Sequence, residues 1–425
     1  MKYYLITYGC QTNHSDSERI AAALEDIGYQ PARNINEADL ILVNSCSIRQ
    51  SAIDRIWGQV KNFAKLKALK PDLKTILTGC ILKGDKIKFK NKFNLILDIK
   101  DLPKLPNFLG VKNSNPQVPD YFKIQPKYQN NFSAYIPIMT GCNNFCSFCV
   151  VPYTRNREIS RPTEEILCEI KNLISRGYKE IWLLGQNVNS YSNEQKTANN
   201  KQKINFPKLL KMVNDIPGNF WIRFTSSHPK DFSDDLINTM ASCKKVTEYL
   251  NLPVQSGDDE VLKKMNRPYT IKQYKQIVRK IREKFPGISL STDVIVGFPE
   301  ETKEQFENTV ELFKEVKFDM AYISRFSPRE GTAAANLESN VPHKEKERRW
   351  KILTDILKKT ALEKNREYIG KTVKILVEER KDKFLIGKNR NYKTVKFESD
   401  QDLIGRFIDV KIINALPLGL EGRII

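Results

Sequence analysis

No apolar run in the chain approaches the roughly 18–20 residues that would cross a bilayer, so no membrane-spanning helix is expected. The start, Met1-Lys2-Tyr3-Tyr4-Leu5-Ile6, runs straight into a strand-like segment. It lacks an apolar core followed by a small-residue cleavage site, which argues against secretion and for the cytoplasm. In that reducing compartment disulfides are not expected. Histidine is scarce, at three residues, against eight cysteines. The cysteines must then be core residues, ligands or nucleophiles, and their spacing has to decide which.

What is present is ordinary in bulk and lopsided in charge. The 425 residues suggest two to four domains. A hydrophobic fraction of 40% and a charged fraction of 28% fit a folded globular chain. Seventy Lys and Arg against fifty Asp and Glu leave a net charge of +20, which points to a polyanion, most commonly nucleic acid.

The pattern along the chain divides it into parts. Residues 1–109 alternate strand-like runs (Tyr3–Tyr8, Leu40–Asn44, Thr75–Thr78, Leu95–Leu97) with helical stretches such as Ser15–Ile27 and Ser51–Leu69, which predicts an open parallel α/β sheet. Residues 110–131, with Asn113-Ser114-Asn115-Pro116 and further prolines, read as a linker. Residues 132–344 hold six strand candidates, each followed by helix: Tyr135–Met139, Glu180–Leu184, Trp221–Thr225, Tyr249–Val254, Ser289–Val296 and Met320–Phe326. This predicts a partial (β/α)6 barrel with its working residues at the carboxyl ends of the strands. Residues 345–367 read as a connecting helix. Residues 368–425 are short, β-rich and turn-separated, and predict a small antiparallel barrel. The fold class is α/β. On the tail, Lys388, Arg390 and Lys393 surround Tyr392 on one predicted hairpin, a candidate RNA surface.

The sharpest motif is Thr140-Gly141-Cys142-Asn143-Asn144-Phe145-Cys146-Ser147-Phe148-Cys149, just after the first barrel strand. Structural zinc wants four ligands, and no fourth Cys or His follows nearby. Three thiolates on one loop suit a [4Fe–4S] cluster with one iron open to a small molecule. A second set is widely spaced. Cys10, Cys46 and Cys80 each follow a predicted parallel strand, at the edge where open α/β sheets build ligand sites. That placement predicts a second three-cysteine cluster with an open iron. Cys168 and Cys243 fall in helical stretches and read as buried structural thiols. His228 ends a barrel strand, either bracing a turn or standing near substrate.

The Cys142/Cys146/Cys149 motif resembles that of the radical S-adenosylmethionine superfamily. The resemblance implies that the cofactor chelates the open iron and yields a 5′-deoxyadenosyl radical, with Phe148 beside its adenine. With its second cysteine set and β-rich tail, nearly the whole chain resembles the methylthiotransferases, and the tail their TRAM domain. The stretches that carry this are Gly9-Cys10-Gln11-Thr12-Asn13 with Asp16-Ser17-Glu18, then Asn44-Ser45-Cys46-Ser47-Ile48-Arg49, then Cys149-Val150-Val151-Pro152-Tyr153-Thr154-Arg155 with Ser160-Arg161-Pro162, and finally Leu184-Gly185-Gln186-Asn187-Val188-Asn189-Ser190-Tyr191. They are most similar to the members that act on isopentenylated adenosine in tRNA. Leu252–Gly257 and Thr292–Pro299 resemble that family's cofactor-facing strand ends. The chain departs from the subfamily at Thr12, Asn156, Asn251 and Lys83-Gly84-Asp85.

The resemblance implies methylthiolation of adenine C2 in N6-isopentenyladenosine beside the tRNA anticodon. One S-adenosylmethionine would methylate a sulfur held at Cys10/Cys46/Cys80, and a second would yield the radical at Cys142/Cys146/Cys149. Two are consumed per turnover, with electrons from a flavodoxin- or ferredoxin-type donor and sulfur from an unknown one. Phe148, Gln186, Asn187, Gln255, Ser256, Thr292 and Asp293 become candidate cofactor contacts. Arg49, Tyr153, Arg155 and Arg157 join the tail cations as candidate RNA contacts. Two alternatives stay open: a methylthiotransferase acting on threonylcarbamoyl-adenosine or a ribosomal-protein aspartate, and a non-catalytic RNA-binding protein with structural zinc.

Overall fold

In the computed structural model, residues 1–46, 50–111, 120–196 and 201–425 are described. They form two compact bodies. The first comprises Met1–Gln129, Met139–Arg161 and Ser327–Ala335, and the second Asn130–Ile138, Pro162–Phe326 and Asn336–Ile425. No helix among the described residues is long and apolar enough to cross a membrane.

The first body is built on a five-stranded parallel sheet. Its order is Gln30–Pro31, Lys2–Tyr8, Leu40–Cys46, Lys74–Cys80, Leu95–Ile96. The central strand Leu40–Cys46 is buried at every residue, which is why it reads as a continuous apolar run. Alternation then assigns its two faces. Leu40, Leu42 and Ile76 pack with Ile20 and Leu24 of the helix Gln11–Glu25. Ile41, Val43 and Leu77 pack with Ile53, Ile56 and Phe63 of the helix Gln50–Leu69. The stretch read as a linker is partly structured: Tyr121 and Phe122 are buried in the first core. Asn113–Pro116 lies outside the described residues.

The second body carries six parallel strands. Ser133–Pro137, Glu180–Leu184 and Trp221–Phe224 form one ladder, and Tyr249–Asn251, Ser289–Val296 and Met320–Arg325 another. A parallel bridge from Ile222 to Val246 joins them. Helices such as Thr163–Ser175 and Lys303–Val316 follow strands, as expected of β/α units. An antiparallel hairpin, Ser192–Lys196 with Lys201–Asn205, was not expected. The first predicted barrel strand divides at Ile138. Ser133–Pro137 belongs to the second body, while Met139–Thr140 pairs antiparallel with Ile159–Ser160 in the first. Met139–Arg161, within the stretch read as the barrel domain, thus belongs to the first body.

The helix His343–Arg366 leads into a closed five-stranded barrel with an apolar centre of Ile375, Val377, Leu385, Val395, Phe397, Val410 and Leu420. Its last strand, Gly419–Ile424, was missed because two glycines interrupt its apolar pattern. Gly422 is required there: a Cβ would stand 2.8 Å from the Lys411 carbonyl oxygen.

Candidate functional site

The three dispersed cysteines of the first body stand at strand ends. Cys46 and Cys80 are register partners at the ends of adjacent strands. Cys10 follows the neighbouring strand, whose Tyr8 pairs with Ser45, and caps the helix Gln11–Glu25. Gly79, before Cys80, has φ +108°, and a Cβ there would meet the Ser45 carbonyl oxygen at 2.1 Å, so only glycine lets the two cysteine-bearing strands approach. An amide latch fixes Cys10 against the Cys46 strand. Asn13 Oδ1 accepts the Cys10 N–H at 3.2 Å, and Asn13 Nδ2 donates to Asn44 Oδ1 at 3.2 Å. Asn44 Nδ2 donates in return to the Asn13 carbonyl at 2.7 Å and to Ser17 Oγ at 2.9 Å.

The electrostatics favour thiolate. The Cys80 thiol is brought down to about 7, first by a hydrogen bond from Cys46 and then, against burial, by the Arg155 guanidinium. Arg155 Nε donates to Cys80 Sγ at 2.9 Å, and its Nη2 pairs with Asp16. Burial opposes the Arg155 charge, but Asp16 and Cys80 hold its pKa well above the ordinary value.

The second set sits on the loop enclosed by the strands Met139–Thr140 and Ile159–Ser160. Gly141, at φ +77°, would drive a Cβ into the Arg157 carbonyl oxygen at 2.1 Å. Cys142 and Cys146 are buried and Cys149 is half-buried. The Asn144 N–H lies 3.4 Å from Cys142 Sγ, and the Cys149 N–H donates to the Cys146 carbonyl at 3.0 Å. Burial pushes the Cys142 thiol up, with the Asn144 N–H pulling the other way. Asn156 has φ +64°, a left-handed conformation that asparagine tolerates. On the exposed side, Arg157 lies 4.3 Å over the Phe145 ring, and Phe145 meets Tyr153 edge-on at 6.4 Å. Among the described residues no group of three or more His, Cys, Asp or Glu side chains is closed around a metal-sized point. The fit to iron–sulfur clusters therefore rests on donor chemistry: two sets of three thiols, each without a fourth cysteine, one at strand ends and one on a loop, each beside a close-approach glycine.

In the second body, unsatisfied polar atoms gather at the carboxyl ends of the second and third barrel strands. Gln186 Oε1, Asn187 Oδ1, Asn189 Oδ1, Ser227 Oγ and His228 Nε2 are buried without a protein partner. Such atoms await a ligand or water. Asp231 holds the Asn187 amide nitrogen at 2.7 Å, leaving the carbonyl oxygen unpaired. His228 braces its turn by accepting the Lys230 N–H at 3.2 Å through Nδ1. Burial, with Arg267 and Lys230, lowers its pKa to about 2, so the ring is neutral and Nε2 carries a proton to donate. Asn189 and Ser227 join the site without being sequence candidates; their signal is polarity just past strand ends.

Five expected cofactor contacts fare differently. Thr292 is consumed by the fold: its hydroxyl donates to the Leu252 carbonyl and accepts from the Val254 N–H, both at 3.0 Å. Ser256 is fully buried and accepts the Asp258 N–H at 3.3 Å. Asp293 is only partly buried and is oriented by Asn251 Nδ2 at 3.1 Å. Gln255 is half-buried at φ +71°. Phe148 is half-buried on the cysteine loop.

The RNA candidates need correction. Arg49 lies outside the described residues. Arg155 is buried and paired, so no phosphate reaches it. Tyr153 and Arg157 are exposed. The tail hairpin turns its side chains largely toward the amino-terminal end of the barrel strands, where Lys393 is buried and Lys388, Arg390 and Tyr392 are half-buried. Arg390 Nε pairs with Glu248 at 2.7 Å, and Lys393 Nζ with Asp319 at 2.7 Å. Tyr392 packs against Tyr249 and Trp182, with ring centroids 4.6 and 5.2 Å away. Lys388, half-buried, donates to Thr394 and has its pKa lowered by burial. Charge in sequence does not reveal which face it occupies. Of the remaining thiols, Cys243 is buried as expected, but Cys168 is exposed, a further correction.

Comparison with known proteins gives three family matches: "Radical SAM superfamily" over residues 136–313, "Uncharacterized protein family UPF0004" over residues 2–98, and "TRAM domain" over residues 366–425. Curated relatives match along the whole chain. A tRNA-2-methylthio-N(6)-dimethylallyladenosine synthase of Clostridium botulinum is 41% identical, covering 99% of this chain and 96% of its own. Proteins of the same name from Clostridium novyi and Acetivibrio thermocellus are 42% and 40% identical, each covering 100% of this chain and 96% and 91% of their own. Among solved structures, the radical S-adenosylmethionine methyltransferase TsrM of Kitasatospora setae, with cobalamin and a [4Fe-4S] cluster bound, superposes with a TM-score of 0.54 at 15% identity, over 79% of this chain and 77% of its own. At that identity the likeness speaks for the fold alone.

Proposed function

We propose, from the premise that the chain belongs to the tRNA-2-methylthio-N(6)-dimethylallyladenosine synthase family, that it is a radical S-adenosylmethionine enzyme placing a methylthio group on adenine C2 of isopentenylated adenosine in tRNA. The observation that carries this reading is the pair of three-thiol sets, one at strand ends and one on the loop of residues 139–161. A polar reaction at an unactivated aromatic C–H bond has too high a barrier, so the chemistry belongs to cofactors.

Cys142, Cys146 and Cys149 would hold one [4Fe–4S] cluster, and Cys10, Cys46 and Cys80 a second. The cluster of Cys142, Cys146 and Cys149, with S-adenosylmethionine bound, would supply radical chemistry at the base, its electron coming from a flavodoxin- or ferredoxin-type protein. The chain's own residues do the rest. The Asn13–Asn44 latch fixes the Cys10 backbone against the Cys46 strand. Asn187 Oδ1 and Gln186 Oε1 are acceptors for cationic or N–H groups of a bound cofactor, and neutral His228 is a donor. Phe145, Tyr153 and Arg157 present a stacking surface for an unstacked anticodon base. On the tail, Phe384 is flanked by Lys396 at 3.8 Å and Lys383 at 5.4 Å, a better surface for the tRNA backbone than the barrel-facing hairpin.

The competing reading, structural zinc in a non-catalytic RNA-binding protein, differs in metal content. Anaerobically reconstituted wild type is expected to be brown and to carry roughly eight irons per chain, and Cys142→Ala/Cys146→Ala/Cys149→Ala about half of that. A colourless protein holding zinc instead would overturn the proposal.

A further inference from the structure

Arg155 lies on the loop that carries one cysteine set and reaches a sulfur of the other, all within the first body. Its side chain is 3% exposed and that of Asp16 is fully buried. Nη2 pairs with Asp16 Oδ2, while Nη1 stands 3.5 Å from Oδ1, so the fork is spent on the carboxylate. The Tyr121 hydroxyl also donates to Asp16 Oδ1 and helps fix the carboxylate. Nε remains, and it is aimed at Cys80 Sγ at 2.9 Å. A thiol is a weak acceptor, whereas a thiolate or metal-bound sulfur is a good one. A guanidinium placed only to close a buried ion pair has no need of that third contact.

We propose that Arg155 is a positioning residue of the Cys10/Cys46/Cys80 site, whose hydrogen bond to the Cys80 sulfur makes the cluster held there easier to reduce. This rests on the reading above that these cysteines hold an iron–sulfur cluster. Hydrogen bonds to cluster sulfurs and nearby charge set reduction potential. Asp16 cancels the net charge of the pair but not its dipole, and the positive end faces sulfur. Asp16 and Tyr121 thus hold the cation in place and moderate its effect.

The test is a redox titration followed by electron paramagnetic resonance. The parent is the full chain carrying Cys142→Ala/Cys146→Ala/Cys149→Ala, so that only the N-terminal cluster reports. Iron content is measured on each sample. Arg155→Met is expected to lower the midpoint potential, and Arg155→Lys, which keeps a cation but not the directed N–H, to lower it less. Asp16→Asn, which keeps an acceptor for Arg155 but removes the negative charge, is expected to raise it. If Arg155→Met fails to retain iron, Arg155→Lys and Asp16→Asn decide: shifts of opposite sign support the proposal, and any other pattern overturns it. Iron retained in Arg155→Met at an unchanged potential overturns the inference alone. A parent without iron overturns the reading on which it rests, and the inference with it.

Discussion

Arg223→Met should release the tail hairpin from the barrel. Arg223 lies on the strand Trp221–Phe224 with no exposed side-chain surface. Its Nε pairs with Glu180 Oε1 at 2.6 Å, Nη2 donates to the Asn389 carbonyl at 2.7 Å, and Nη1 to the Arg390 carbonyl at 3.0 Å. Its guanidinium also lies 5.0 Å over the Tyr392 ring. Methionine keeps the apolar contact and removes every polar one. Stranding one partner of a buried ion pair costs roughly 3–5 kcal/mol. Two unpaired hairpin carbonyls could add about 1–3 kcal/mol each if water stayed out. Glu180 keeps donors in Trp182 Nε1 at 2.8 Å and Ser133 Oγ at 2.9 Å, and neighbouring contributions are not additive, so the lower figure, about 3 kcal/mol, is the better expectation. At a factor of ten per roughly 1.4 kcal/mol, hairpin opening should rise at least about a hundredfold. Native-state hydrogen exchange with mass spectrometry reads this at the Asn389, Tyr392 and Lys393 amides, all hydrogen-bonded within the hairpin. Peptides from residues 40–46 serve as control. Adding Glu180→Gln should recover part of the loss, since no charge is then stranded. Hairpin protection within about threefold of wild type would refute this anchoring.

Asp319 is the other anchor, paired with Lys393 and Lys364 at 2.7 Å each. Burial would raise its pKa, but the two ammonium groups outweigh burial and hold it below the ordinary value. A depressed carboxylate stabilises the fold above its unfolded-state pKa and loses that contribution as pH falls through its folded value. Asp319→Asn should therefore cost roughly 3–5 kcal/mol at neutral pH. The Tm gap to wild type should close in acid, and a pH-independent gap in scanning fluorimetry would contradict this. Cys46→Ala should still cleave S-adenosylmethionine to 5′-deoxyadenosine, because the Cys142/Cys146/Cys149 loop is untouched. It should yield no methylthio product; normal product by chromatography would remove the strand-end cysteines from the chemistry.

Periodicity made the scaffold legible. Leu40–Val43 is apolar without alternation because both faces are covered, and the cysteine at the end of each such run marks the sheet edge. The loop of Cys142, Cys146 and Cys149 was legible because its ligands are local. Contacts distant in sequence were not. The helix Gln11–Glu25 begins four residues before its expected start, because Asn13, Ser15, Asp16 and Ser17 are buried polar residues facing the site rather than an apolar stripe. Arg155 looked like a surface cation because its partner Asp16 is 139 residues away. Lys393 and Arg390 looked like an RNA patch because Asp319 and Glu248, which neutralise them, lie on other elements. Residue type announced charge; only the tertiary partner says whether that charge is used up.

The most direct test of the account is nucleoside mass spectrometry of tRNA carrying isopentenylated adenosine, incubated anaerobically with the reconstituted chain, S-adenosylmethionine, a sulfur source and a low-potential reductant. The account predicts that N6-isopentenyladenosine is converted to its 2-methylthio derivative, with 5′-deoxyadenosine and S-adenosylhomocysteine formed alongside. Unchanged isopentenyladenosine in the presence of both loaded clusters and continuing 5′-deoxyadenosine formation would contradict it.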